Sequence, residues 1–201
     1  MKDDPRYKMI LEHYEGNAEV FFSGTVDVDM APLYERFLPL LPGRRILDAG
    51  CGSGRDALAF LKAGFEVEAF DASPELAKMA SELSGLKVEA ATFHSFRSEH
   101  LFDGIWACAS LLHVPAADLS TVIERLASML QPGGIFYMSF KWGRAERVNG
   151  GRLFVDLDEE GLDDLLENIP ELVRRELWQT RDLRPGRDGE FWLNAIMEKK
   201  S

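Results

Sequence analysis

The stretch Asp48-Ala49-Gly50-Cys51-Gly52-Ser53-Gly54-Arg55-Asp56 sets three glycines at alternate positions directly behind a carboxylate. Backbone without Cβ atoms lets a ligand approach closely, provided a strand leads into the turn and a helix leaves it. Arg45-Ile46-Leu47-Asp48 reads as that strand, and the segment to Ala63 reads as the helix, with Gly64 as its stop. The spacing is G-x-G-x-G, not the G-x-G-x-x-G of dinucleotide folds, and no Gly-Lys-Ser/Thr follows it. Asp48 would repel a pyrophosphate at this turn but tolerate an amino group or a sulfonium. A second carboxylate, Asp71, closes the next strand 17 residues past Gly54. In a doubly wound sheet that position can accept both ribose hydroxyls. Together these groups describe a ligand with a ribose and a positive end; the alternative is a tight strand–helix turn with no ligand.

The elements that must hold these groups alternate along the chain. Tyr7, Ile10, Leu11 and Tyr14 have helical spacing within residues 5–23, and Met30 to Leu41 forms a second helix stopped by Pro42-Gly43. Glu66 to Asp71 is a strand, and Ser73-Pro74 is an N-cap with proline at the first helical position of a helix reaching Ser84-Gly85. Leu86–Ala91, Phe102–Ser110 and Ile135–Lys141 are further strands. Leu119, Val122, Ile123, Leu126 and Leu130 form a helical stripe ended by Pro132-Gly133-Gly134. Leu157 to Ile169 is an acidic helix, and Arg174–Thr180 and Glu190–Glu198 are strands around an Arg/Gly/Pro loop. Repeated βα units imply right-handed crossovers and an α/β, doubly wound, mostly parallel sheet. The closing hairpin would add one antiparallel edge strand. Residues 1–201 are expected to form one domain, with 1–42 as a helical lid or extension on a core of 43–201.

These motifs resemble those of the class I S-adenosylmethionine-dependent methyltransferases of the small free-standing type. The resemblance rests on Asp48–Gly54, Phe70-Asp71-Ala72-Ser73-Pro74, Phe102-Asp103, Leu111-Leu112-His113-Val114 and Leu130-Gln131-Pro132-Gly133-Gly134, and covers nearly the whole chain. It implies a Rossmann-like seven-stranded sheet with the last strand antiparallel, helices on both faces and the cofactor across the carboxyl ends of the first strands. Carried over, Gly50, Gly52 and Gly54 with Cys51 would face the cofactor, Asp48 would hold its amino end and Asp71 its ribose. Ala72 would pack on the adenine, and Thr92 and Phe93 would lie at its rim. Many relatives carry an acid at that rim, where this chain has Thr92-Phe93-His94, so backbone would have to receive the adenine amino group. Cys108 and Ala109 would lie beside the sulfonium. Arg55 would follow the turn, and Tyr14, with Phe21 and Phe22, would close over the site.

The implied reaction is direct displacement at an activated methyl, for which alignment supplies much of the acceleration. A general base is needed only when the acceptor must lose a proton early. His113 is the candidate base, the other reading being a histidine that holds its loop. The strand end Ala107-Cys108-Ala109-Ser110 lacks the Asn/Asp-Pro-Pro-Tyr/Phe of amide- or exocyclic-amine-methylating relatives. Arg181, Arg184 and Arg187 gather in one loop and, with Lys141, Trp142 and Arg144, are candidates to meet a small anionic acceptor. The competing reading pairs the loop arginines with the acidic helix at 158–167.

The 34 acidic and 23 basic residues give a net charge of −11, without general attraction to nucleic acid or anionic lipid. Two cysteines make neither a disulfide framework nor, alone, a zinc site. Neither a signal-peptide pattern nor a membrane-length apolar run is present, so a cytoplasmic enzyme is expected. Its cofactor would be S-adenosyl-L-methionine and its product S-adenosyl-L-homocysteine. The rival readings are a nicotinamide-dependent dehydrogenase, an S-adenosylmethionine-binding protein without transferase activity, and an RNA- or protein-directed methyltransferase.

Overall fold

Apolar runs with little alternation produce strands covered on both faces. The structure, a computed structural model, describes residues 4–182, 184, 187 and 189–200. Three helices come first: α1 (Pro5–Gly16), α2 (Ala18–Thr25) and α3 (Ala31–Phe37). The core then runs β1 (Arg45–Ala49), α4 (Arg55–Lys62), β2 (Glu66–Asp71), α5 (Pro74–Ser84), β3 (Glu89–Ala90), β4 (Phe102–Ala107), α6 (Ala116–Ser128) and β5 (Leu130–Lys141). A hairpin follows, β6 (Ala145–Asn149) and β7 (Arg152–Asp156), and then α7 (Glu159–Leu166), β8 (Leu172–Arg181) and β9 (Phe191–Lys199).

Seven strands form one sheet in the order β3-β2-β1-β4-β5-β9-β8. The β1–β5 neighbours pair parallel, while β9 is antiparallel to both β5 and β8. The antiparallel strand is therefore inside the sheet rather than at the expected edge. Burial explains this: Leu193, Ala195, Ile196 and Met197 of β9 are all buried, whereas most of β8 is partly or fully exposed. The more apolar strand takes the covered position.

Local signals worked where capping chemistry is explicit. The Ser73 hydroxyl accepts the Leu76 N–H at 3.2 Å, and α5 ends at Gly85 with φ +78°. The expected first helix instead breaks between Gly16 and Ala18, where the Asn17 amide donates to the His13 carbonyl at 2.7 Å. The Pro132-Gly133-Gly134 segment lies within β5, not at a helix end, because α6 has already stopped at Ser128.

Two apolar layers cover the sheet. One packs Ile105, Phe136 and Met138 under Leu119, Val122, Ile123 and Leu126 of α6. The other packs Ile46, Trp106, Tyr137 and Ile196 under Phe37 and Phe60. Trp106 and Tyr137 stack with ring centroids 3.8 Å apart. The β6–β7 hairpin is absent from the expected elements. It turns through Gly150-Gly151, with φ +56° and +76°, between the paired Asn149 and Arg152. Among the described residues, no helix is long and apolar enough to cross a membrane.

Candidate active site

The turn after β1 is held open by its own backbone. Gly50 has φ +77°, and a Cβ there would lie 2.7 Å from the Ser110 Cβ. Gly52 has φ +54°, with the Phe21 ring 2.9 Å from the corresponding position. Both border a cavity of about 470 Å³ at the carboxyl ends of β1, β2 and β4. Gly54 does not border it. A side chain at Gly54 would strike Ala80 of α5 at 2.8 Å, so the third glycine serves helix packing rather than ligand approach.

Asp71 does face the cavity. One carboxylate oxygen accepts the Gly52 N–H and the other the Ser73 N–H, each at 2.9 Å. Each oxygen retains acceptor capacity for a further donor. Burial pushes the Asp71 carboxyl above its ordinary pKa, against the pull of the Ser73 and Gly52 N–H groups. Asp48 lies behind the wall rather than in it: it is 2% exposed, and its Oδ2 is buried without a hydrogen-bond partner. Burial, then the neighbouring Asp56, raise its pKa. The orphaned acceptor lies beneath the turn but outside the cavity lining, so it does not touch a ligand there directly.

Arg55 and Asp56 form a buried pair beside the turn. Arg55 Nε donates to Asp56 Oδ1 at 2.6 Å and its other arm to Oδ2 at 2.9 Å, while a third N–H reaches the Thr25 carbonyl at 3.1 Å. The Tyr34 hydroxyl and the Trp106 indole N–H donate to the same carboxylate at 2.5 and 2.8 Å. Burial alone would raise the Asp56 pKa, but the Arg55 charge and these bonds hold it below the usual range.

Helices α1 and α2 cover the site. The Tyr14 hydroxyl lies 2.7 Å from His113 Nε2, and His113 Nδ1 lies 2.6 Å from the Leu153 carbonyl. A carbonyl only accepts, so Nδ1 carries the proton and Nε2 accepts from Tyr14. Tyr14 also meets Phe21 edge-on at 5.2 Å. The ring of His113 thus joins the N-terminal helix to the hairpin. Burial lowers its pKa to about 4. Because the unfolded ring titrates near its usual value of 6.5, the unfolded chain binds the extra proton between pH 6.5 and 4. Stability should therefore fall as pH drops across that window, by about 3 kcal/mol from this group. In urea unfolding, the stability gap between wild type and His113→Gln should be widest near neutral pH and narrow as the solution is acidified. A gap independent of pH would contradict this.

Most of the expected contacts converge. Tyr14, Cys51, Arg55, Ala72, Thr92, Phe93, Cys108, Ala109 and His113 line the cavity with Gly50, Gly52 and Asp71, and Lys141, Arg184 and Arg187 reach it from β5 and the β8–β9 loop. Leu183, Pro185 and Gly186 of that loop lie outside the described residues. Ala109 has φ +53°, a sparsely populated conformation for a residue with a side chain, and its N–H donates to the Ser139 hydroxyl at 2.8 Å. Burial pushes the Cys108 thiol up to about 12 and raises Cys51 as well.

Arg144 and Trp142 turn away from the cavity. Arg144 pairs with Asp158, Glu160 and Asp164 at or on α7, and the Trp142 indole donates to Glu159. The acidic helix thus captures Arg144, while Arg184 pairs with Asp182 and Arg187 with Glu190. Arg152, Phe154 and Trp192 also line the cavity and were not anticipated. The first two arrive on the hairpin, whose Asn149-Gly150 step is a recognised turn signal.

Residues 22–169 match the family model described as "Methyltransferase domain". The chain belongs to this methyltransferase family. Among curated relatives, the ubiquinone biosynthesis O-methyltransferase of Xanthomonas campestris pv. campestris is 35% identical over 106 residues, 49% of this chain and 44% of that protein. The matched region therefore spans less than half the length of that relative. Among solved structures, the Burkholderia thailandensis 1,6-didemethyltoxoflavin-N1-methyltransferase, with bound 1,6-didemethyltoxoflavin and S-adenosylhomocysteine, superimposes with a TM-score of 0.74. It is 25% identical and covers 98% of this chain and 87% of its own. The N-methyltransferase NodS of Bradyrhizobium japonicum, complexed with S-adenosylhomocysteine, has a TM-score of 0.71 at 19% identity, covering 94% of this chain and all of its own. The second likeness supports the fold. Both match the methyltransferase architecture of the seven-stranded sheet.

Proposed function

We propose that this methyltransferase domain moves a methyl group from S-adenosylmethionine to a small acceptor bound in the 470 Å³ cavity. The observation that carries the reading is Asp71, whose oxygens take one backbone N–H each, from Gly52 of the glycine turn and from Ser73 at the start of α5, and retain capacity for ribose hydroxyls. The bound cofactor supplies a methyl on a positively charged sulfur; transfer breaks the S–CH3 bond, forms the acceptor–CH3 bond and leaves S-adenosylhomocysteine.

The chain's own residues bind, orient and exclude water. Gly50, Cys51 and Gly52 admit the cofactor by their backbone, Ala72, Thr92 and Phe93 flank the adenine, and Cys108 and Ala109 adjoin the reacting end. Asp48 acts from behind the wall on the amino end. Arg55 acts indirectly, tying the end of α2 to the turn through Thr25. Residues 1–42 serve as the lid, with Tyr14 and Phe21 laid over the site, which strengthens its electrostatics. His113 is better suited to hold that lid than to act as a base, because both ring nitrogens are engaged and its pKa lies near 4. An acceptor that is already ionised, or that loses its proton to water after transfer, suits these groups. Lys141, Arg184 and Arg187 favour a small anionic molecule over nucleic acid, and the protein's place of action is the cytoplasm.

The test is transfer of tritiated methyl from S-adenosylmethionine into a fractionated metabolite extract, beside Asp71→Ala. Label entering small molecules only with the wild-type protein supports the reading. Label confined to RNA or protein, or S-adenosylmethionine binding with no transfer to any fraction, overturns it.

A further inference from the structure

Resting on the methyl-transfer reading, we infer that the β5–β9 side of the cavity is a carboxylate subsite, in which Arg152 recognises an aryl carboxylate acceptor. Asp71 ends β2, and Lys141 ends β5, three strands away in the sheet. At about 4.8 Å per strand, the ribose end and this cationic end are about 14 Å apart. The end of β4, with Cys108 and Ala109, lies between them, where a methyl would pass from one ligand to the other.

Five cations, Lys141, Arg152, Arg181, Arg184 and Arg187, line this side, and two carboxylates pair with three of them. Asp182 is held by Arg184 and the Trp192 indole, and Glu190 is shared by Lys141 and Arg187. Asp156, on the same strand as Arg152, is bound by Arg147 at 2.7 and 3.1 Å. Arg152 and Arg181 have no salt bridge among the described residues; Arg181 lies over the Phe191 ring at 6.0 Å from its centroid, whereas Arg152 Nε is buried without a hydrogen-bond partner. The enclosed Nε leaves this guanidinium under-satisfied, and the part of it that lines the cavity is what a planar carboxylate would meet. The mutual repulsion of the group is visible in Lys141 and Arg187, both lowered by burial first and then by Arg184.

The rings beside these charges identify the body of the acceptor. Arg152 lies 5.1 Å from the Phe154 ring centroid, Lys141 lies 5.9 Å from Phe154 and 5.5 Å from Trp192, and Arg184 lies 6.0 Å from Trp192. An anion held by these cations brings the body of its molecule beside Phe154 and Trp192, where a flat apolar ring packs offset or edge-on against them. Because one cavity must hold both cofactor and acceptor, the acceptor has one or two rings.

The test titrates protein saturated with S-adenosylhomocysteine with benzoate, 2-naphthoate and quinoline-2-carboxylate, each beside its neutral carboxamide, and with phenyl phosphate and inorganic phosphate. At least one carboxylate should bind about ten-fold or more tightly than its amide, and Arg152→Gln should abolish that preference while S-adenosylhomocysteine binding is unchanged. Arg152→Lys should retain part of it. Raised KCl should weaken the carboxylate and not the amide, a check that needs no variant. Amides that bind as well as their acids, a preference surviving in Arg152→Gln, or a phosphate that outbinds every carboxylate would each overturn the inference. Failure of S-adenosylhomocysteine to bind in the same samples would instead strike the methyl-transfer reading.

Discussion

Asp71→Ala should weaken S-adenosylhomocysteine binding by about 100- to 10,000-fold, through loss of two charge-assisted hydrogen bonds of about 1.5–3 kcal/mol each. The fold should survive, because, of the two N–H groups left behind, the Gly52 one lines the cavity, where water can reach it, and only the Ser73 one is enclosed at the start of α5. The cost to stability should be about 1–2 kcal/mol. Thermal shift separates the two effects: the variant should melt slightly below wild type and gain nothing from S-adenosylhomocysteine, whereas wild type should gain several degrees. An Asp71→Ala protein that retains wild-type affinity would remove Asp71 from the ribose site.

Asp56→Ala should have the largest effect on stability, about 3–5 kcal/mol. Removing this carboxylate strands the Arg55 guanidinium, the Tyr34 hydroxyl and the Trp106 N–H at once, all within or bordering the sheet layer formed by Phe37 and Phe60. For a chain of this length that corresponds to a melting point about 10 °C lower. Asp56→Asn keeps acceptor capacity but not the charge, and should fall between. Because Arg55 also anchors the Thr25 carbonyl, the Asp56→Ala lid should loosen before the sheet melts, seen as faster amide exchange in α2 than in β4. A loss below about 1 kcal/mol would show that the buried pair is not holding this layer.

What was legible in the chain follows from how local each signal is. Ser73-Pro74, the glycine turn and Asp71 are determined by a few neighbouring residues, and the structure places them as expected. Gly54 and Asp48 share a motif with the residues that line the cavity, yet face Ala80 and the interior; motif membership does not reveal the direction of a side chain. Arg144 was indistinguishable from Arg184 by type, and only the packing of α7 shows which arginine the acidic helix takes. The position of β9 inside the sheet is a question of strand order, which depends on how much apolar surface each strand must bury rather than on its own pattern. Arg152 was hidden because the hairpin carrying it lies between the Ile135–Lys141 strand and the acidic helix, a stretch to which no element was assigned despite its Asn149-Gly150 signal.

The most direct test of the account is calorimetric titration of the wild-type protein with S-adenosylhomocysteine and S-adenosylmethionine. One molecule of either ligand should bind per chain with a dissociation constant on the order of micromolar, about −8 kcal/mol. Absence of binding by both would mean that the glycine turn and Asp71 do not form a cofactor site, and the central claim would fall.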